Sequence, residues 1–190
     1  PFERLETFAR VLGGKQKIQA LLRGQNLFAY QPYPDDLVIA FVKQAVESGV
    51  GIMRMFDALN DERNLGMAML ATKAYGAKAE AALSYTVSPV HTVQYFIDYA
   101  RKLEKMGADQ LAIKDMAGLL RAPAARILVT ALRKRFDLPV HLHTHDTAGG
   151  QLATLLAASR AGADAVDAAS APMAGTTSQP SASALIAALA

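Results

Sequence analysis

Three of the chain's four histidines, His141, His143 and His145, occupy alternate positions of the stretch PVHLHTHDTAGG, residues 139–150. Residues two apart in a strand face the same side, so all three line one face. Neighbours on that face are ~6.6 Å apart and the outer two ~13 Å. Two adjacent imidazoles can therefore converge on one ion held at Zn–N distances of about 2.0–2.1 Å, whereas three cannot. The pair nearer the strand end, His143 and His145, followed by Asp146, reads as a divalent-metal site. His141 lies deeper and reads as a hydrogen-bonded core residue.

Lys114, in LAIKDMAG, stands among apolar residues on a strand that should be buried. Lysine is rarely buried without a partner, and burial favours its neutral amine. Beside a divalent cation, a neutral amine can combine with CO2 to give a carbamate, an anionic oxygen ligand. The alternative is an ion pair, with Asp115 or Asp57. Arg23, in LLRGQN, ends another strand, where a guanidinium could hold a small carboxylate bidentately or pair with Asp57. Asp57, in RMFDALND, could be a base, a hydrogen-bond acceptor behind another site residue or Arg23's partner. Tyr85 and Thr86 offer hydroxyls at a further strand end, and MAGTTSQPS, residues 173–181, is a loop of small hydroxyl residues.

These residues share a rhythm of strand followed by helix. Strands are predicted over residues 17–24, 78–86, 109–116, 138–145 and 164–170, and a strand running into a loop over 51–60. Helices are predicted over 35–49, 61–76, 88–107, 121–137 and 149–162, with a further helix opening the chain and another from about Ser181. The period of roughly 25–35 residues is that of one βα unit, and regular alternation implies a parallel sheet covered by helices. No G-x-G-x-x-G follows the first strand, which removes support for a dinucleotide fold. Polar residues instead collect at the carboxyl ends of several strands, as they do around the mouth of a closed barrel. The expected fold is α/β, an incomplete (β/α)8 TIM barrel. Residues 1–190 would form one partial domain running from about strand 2 to helix 7, with the first and last strands missing.

Composition narrows the class. Apolar residues make up 52% of the chain and charged residues 19%, enough for a core and too few charges for disorder. The net charge of +3 is scattered, without aromatics interleaved, so no nucleic-acid partner is expected. The absence of cysteine excludes disulfides and thiolate metal ligands. No apolar run approaches the ~20 residues of a membrane span. The expectation is a cytoplasmic protein with no membrane partner.

Taken in order, LLRGQN, RMFDALND, SPVHT, AIKDMAGLL, HLHTHDTAGG and GTTSQPS resemble the carboxyltransferase domain of the biotin-dependent enzymes. The pyruvate carboxylase group is the nearest in motif. The resemblance runs through nearly the whole chain. It implies a barrel with zinc or manganese at its mouth, held by His143, His145 and a carbamylated Lys114. It implies that Arg23 holds pyruvate or its enolate, that Asp57 is a carboxylate close to the metal, and that Tyr85 touches substrate. The reaction implied moves CO2 from carboxybiotin, brought on a biotin carrier domain, to pyruvate, giving oxaloacetate through a metal-stabilised enolate. ATP would act only at a domain this sequence lacks, and the full-length enzyme would be a homo-oligomer. The family's aspartate metal ligand, its catalytic threonine and its biotin-lysine motif are not in these 190 residues. The isolated chain is therefore expected to be inactive. Alternatives are an oxaloacetate decarboxylase alpha chain, a transcarboxylase subunit, a metal-dependent aldolase or acyl-condensing barrel, and an inactive barrel fragment.

Overall fold

The computed structural model describes residues 1–190. Helix α1 (Phe2–Leu12) opens the chain, with Glu3 in its first turn, Arg10 in its last and Gly13 closing it in the left-handed region. These placements suit the helix dipole and the steric demand of the last turn. Then strand and helix alternate: β1 (Ile18–Leu22), α2 (Asp35–Glu47), β2 (Val50–Met55), α3 (Gly66–Ala74), β3 (Lys78–Ser84) and α4 (Val93–Lys105). The second run is β4 (Gln110–Asp115), α5 (Ala122–Arg133), β5 (Val140–Thr144), α6 (Gln151–Arg160), β6 (Ala165–Val166) and α7 (Ala182–Leu189).

The six strands lie in the sheet in the order in which they occur in the chain. Pairings β1–β2, β2–β3, β4–β5 and β5–β6 are parallel. Parallel neighbours need a crossover, and a helix supplies one each time. This is the α/β arrangement of an incomplete (β/α)8 barrel, as the alternating sequence pattern predicts.

By contact, the chain forms two compact units, Pro1–Ala82 with Lys102–Gln110, and Leu83–Arg101 with Leu111–Ala190. In the first unit, Met53, Met55, Leu65, Ala68, Met69 and Ala79 are buried to within about a percent. A charge lies among them. Arg54 and Glu80 are register partners on β2 and β3, and the Arg54 Nε–H donates to Glu80 Oε1. Gln19 Nε2 donates to the same oxygen at 3.0 Å, and Gln110 Nε2 donates to Oε2. Four strands thus meet on one buried carboxylate. In the second unit, Leu111, Ile113, Val140 and Leu142 are fully buried. Parallel strands are covered on both faces, so these runs are continuously apolar except where a polar side chain has a task. Each such apolar side chain contributes about 1.5–3 kcal/mol by leaving water.

Three boundaries differ from the periodic pattern. The helix expected from residue 88 begins at Val93: Ser88 Oγ bonds His91 Nδ1 at 2.7 Å in a turn, and Thr92 Oγ1 accepts the Tyr95 amide. The helix expected from residue 61 begins with a 3-10 turn, Glu62–Leu65, capped by Asp61, whose carboxylate accepts the Arg63 amide. The strand expected over 164–170 is only Ala165–Val166, followed by a single bridge between Ala169 and Ser181. In each case a local side-chain or backbone bond outweighs the hydrophobic period.

Candidate metal centre

β4 and β5 position the centre. Their parallel register sets Lys114 beside His143 and Asp115 beside Thr144. Lys114 is 4% exposed on a strand otherwise buried. The ladder continues past both strand ends. The Tyr85 amide donates to Lys114 O at 2.8 Å and the His145 amide to Asp115 O at 3.0 Å. His145 therefore holds a defined place although it lies one residue beyond β5.

The two imidazoles the sequence singles out come together. His145 Nε2 and His143 Nε2 are 3.0 Å apart, with the rings edge-on at 5.0 Å between centroids. On its other side, His143 Nδ1 lies 2.6 Å from Asp167 Oδ2. His141 Nε2 lies 2.7 Å from Asp167 Oδ1. His141 is thus held by a carboxylate deeper on the same face, the hydrogen-bonded place expected for it. Burial pushes the His145 imidazolium below the usual histidine range; His143 and Lys114 add to that shift, and Asp115 opposes it. A neutral imidazole is the form that binds a metal.

The adjacent aspartates serve the backbone. Asp115 is fully buried; Oδ1 accepts the Leu119 amide at 3.0 Å, and Oδ2 accepts the Leu120 amide at 2.9 Å and Thr144 Oγ1 at 2.8 Å. This carboxylate holds its own loop. Asp146 Oδ1 accepts the Gln151 amide at 2.9 Å and so caps α6. Gly118, φ +69°, completes the wall: a Cβ there would meet the His145 carbonyl at 2.6 Å.

Tyr85 is not brought to the histidines. Its ring stacks on Phe96 of α4 at 5.4 Å and 22°. With His91, Val93, Ala124, Ile127 and Leu128 the two rings line a small cavity of about 110 Å³. Burial, and then Asp115, push the Tyr85 phenol above its ordinary range. The side chain faces the helix layer, opposite to the direction expected of a substrate contact.

In the first unit, Arg23 follows β1. Its Nη1 donates to Ala29 O at 3.5 Å, and the guanidinium lies 4.8 Å from the centroid of the Tyr30 ring. It forms no ion pair with Asp57. Asp57 Oδ2 accepts the Leu59 and Asp61 amides at 2.9 and 3.0 Å, and Oδ1 accepts Asn64 Nδ2 at 2.8 Å. Asn64 Oδ1 accepts the Gln25 amide at 3.1 Å, tying this loop to the turn after Arg23.

The donors in the second unit suit a divalent metal in part. Two imidazole nitrogens face one another, and a buried lysine stands in register with one of them. An ammonium is no ligand, but a carbamate on that lysine would be. No group of three His, Cys, Asp or Glu side chains converges on one point. Asp167 is the site residue that sequence reasoning passed over. Its only signal is its phase: an aspartate just past a strand, beside two histidines of matching parity.

Comparison with known proteins adds to this geometry. The HMGL-like family matches residues 52–178. The chain is 46% identical over 189 residues to a pyruvate carboxylase subunit of Methanocaldococcus jannaschii, covering 100% of this chain and 33% of that one. It is 42% identical over 169 residues to the methylmalonyl-CoA carboxyltransferase 5S subunit of Propionibacterium freudenreichii subsp. shermanii, covering 88% and 33%. It superposes on the carboxyl transferase domain of Rhizobium etli pyruvate carboxylase, solved with pyruvate, with a TM-score of 0.96 and 43% identity, over 100% of this chain and 33% of that one. The chain thus spans about a third of the length of these relatives. No helix is long and apolar enough to cross a membrane.

Proposed function

The chain belongs to the HMGL-like family, and from that premise we propose that it carries part of a carboxyltransferase site that passes a carboxyl group from carboxybiotin to pyruvate. The observation that carries this reading is the facing His143 and His145 nitrogens with buried Lys114 in register beside them. Likeness to a carboxyl transferase domain solved with pyruvate supports the choice of acceptor.

In this reading His143 and His145 hold a divalent metal, zinc or manganese, through Nε2. Lys114 joins them after its neutral amine adds to CO2, forming an N–C bond and releasing one proton to solvent. The bound metal would supply Lewis acidity toward the carbonyl oxygen of pyruvate. Arg23, with no carboxylate partner, receives the pyruvate carboxylate. Biotin, when bound, would supply CO2 by cleavage of its N–carboxyl bond and would take a methyl proton of pyruvate in exchange; preorganised cations such as Arg23 lower the energy of the enolate whose charge grows on the carbonyl oxygen. The enolate carbon then forms the new bond to CO2, giving oxaloacetate. Asp57 holds the loop beside Arg23 and is proposed as the carboxylate close to the metal. Biotin would arrive on a separate carrier domain. The 190 residues are proposed as one partial barrel domain, about strand 2 to helix 7.

Metal analysis by mass spectrometry tests the reading. The purified full chain should hold zinc or manganese in near-stoichiometric amount, and the His143→Ala, His145→Ala double variant none. Equal metal in both proteins would refute the site. A second reading, a transcarboxylase subunit, is favoured by the 42% identity to the 5S subunit. It shares the same chemistry on this chain and differs in the carboxyl donor.

A further inference from the structure

Asp167 stands between two histidines, one carboxylate oxygen to each. Oδ2 is 2.6 Å from His143 Nδ1, and Oδ1 is 2.7 Å from His141 Nε2. Its backbone is fixed as well: the Asp167 amide donates to Leu142 O at 2.9 Å, extending the β5–β6 ladder of His141↔Ala165 and Leu142↔Val166. The carboxylate is thereby set on the histidine face by sheet register, and its position does not depend on side-chain rotamers alone.

An ionised carboxylate only accepts hydrogen bonds. The nitrogen facing each of its oxygens must therefore carry the proton. His143 donates from Nδ1, so its neutral form presents the Nε2 lone pair toward His145. His141 donates from Nε2. Two histidines two residues apart on one strand are thus held in opposite tautomers by a single group.

We propose that Asp167 is the positioning residue of the centre: it fixes His143 as the Nδ1–H tautomer, so that Nε2 is a ready ligand, and His141 anchors Asp167 from below. The inference rests on the reading of His143 as a metal ligand. A carboxylate behind a ligating imidazole sets ring orientation and raises ligand basicity, and its loss typically lowers metal affinity about 10–100-fold. Asp167→Asn preserves size but presents one acceptor and one donor. One histidine must then reverse its tautomer, so the variant separates packing from proton placement.

The test uses the metal-free full chain, labelled with ¹⁵N, in a long-range proton–nitrogen correlation of the histidine rings. The expected spectrum shows His143 protonated at Nδ1 and His141 at Nε2. Protonation of His143 at Nε2 in this wild-type spectrum would overturn the inference, with no variant needed. Cobalt(II) titration then compares wild type with Asp167→Asn, each checked for an unchanged unfolding midpoint. A loss of about 10–100-fold in affinity is expected, and wild-type affinity in the folded variant would overturn the inference. If wild type binds no cobalt, the ligand reading of His143 fails, while the nitrogen spectrum still decides what Asp167 does.

Discussion

Thr144 donates its hydroxyl to Asp115 at 2.8 Å across neighbouring strands, one position beyond the Lys114–His143 pair. The two contacts lie on opposite faces of the same two strands. One is a latch that shapes the loop after β4; the other belongs to the candidate centre. Asp115 also takes the Leu119 and Leu120 amides, so removing it orphans several donors at once. Asp115→Ala should cost about 3 kcal/mol or more, because each unsatisfied buried group costs about 1–3 kcal/mol. Thr144→Val removes one donor of several and should cost about 1 kcal/mol. Urea unfolding of the three proteins checks the ranking.

Lys114 should carry a carbamate. Incubation with ¹³C-bicarbonate and zinc should give a slowly exchanging carbonyl signal in the ¹³C spectrum, absent from Lys114→Met. The methionine fills a similar volume without charge, and an unfolding curve checks that the variant is folded. A wild-type spectrum without that signal would leave Lys114 as a buried cation.

Arg23 should act on binding of the acceptor. Oxalate, a dicarboxylate of enolate-like shape, is the probe. Arg23→Gln should weaken its binding about 10–100-fold, the equivalent of one charge-assisted bidentate contact. The far-ultraviolet circular dichroism should not change, since the Arg23 side chain makes only one long bond to the Ala29 carbonyl and a contact with the largely exposed Tyr30 ring. Equal calorimetric affinity in both proteins would remove Arg23 from the site.

Gly118→Ala should disturb His145 without touching it chemically. The new methyl group would approach the His145 carbonyl to 2.6 Å, and the backbone at φ +69° disfavours any side chain. The loop must yield, moving the carbonyl and with it the imidazole. The variant should lose metal affinity while retaining a cooperative unfolding transition. Metal titration beside thermal unfolding reads both.

Acid should loosen the first unit through Asp109. Burial raises its pKa, but the Ala79 amide at 2.8 Å and Lys73 at 2.9 Å outweigh that and leave it lowered from 3.8. A group depressed in the folded state stabilises above its unfolded value, and that contribution is lost as the pH falls through the folded value. Asp109→Asn should therefore cost about 1–2 kcal/mol at pH 7, and the gap from wild type should close toward pH 3. Urea midpoints at the two pH values measure it.

The six strands and their helices were legible because hydrophobic period and turn residues carry them. Lys114 was legible as a polar residue in a run that burial should have kept apolar, and the histidines by their parity. The rest depends on where side-chain oxygens turn. Asp115 and Asp146 stand beside chemistry-bearing residues in the sequence, yet both bind backbone amides. Tyr85 follows a strand end, but its ring packs on Phe96 of α4, a direction the strand period does not specify one residue past the strand. Asp167 lies within the strand expected over 164–170, but nothing in its own strand marks it; only the facing histidines on β5 give it a task.

The buried Glu80 carboxylate has a consequence for synthesis on the ribosome. Its donors come from positions 61 and 26 residues before it and 30 after it. Gln19 and Arg54 have already emerged when Glu80 does, whereas Gln110 follows 30 residues behind it. Until that glutamine arrives, the carboxylate has one donor fewer than in the finished protein, and desolvating it is costlier for that. The nascent first unit is therefore expected to stay hydrated at this point, with closure waiting for β4 and so timed by translation.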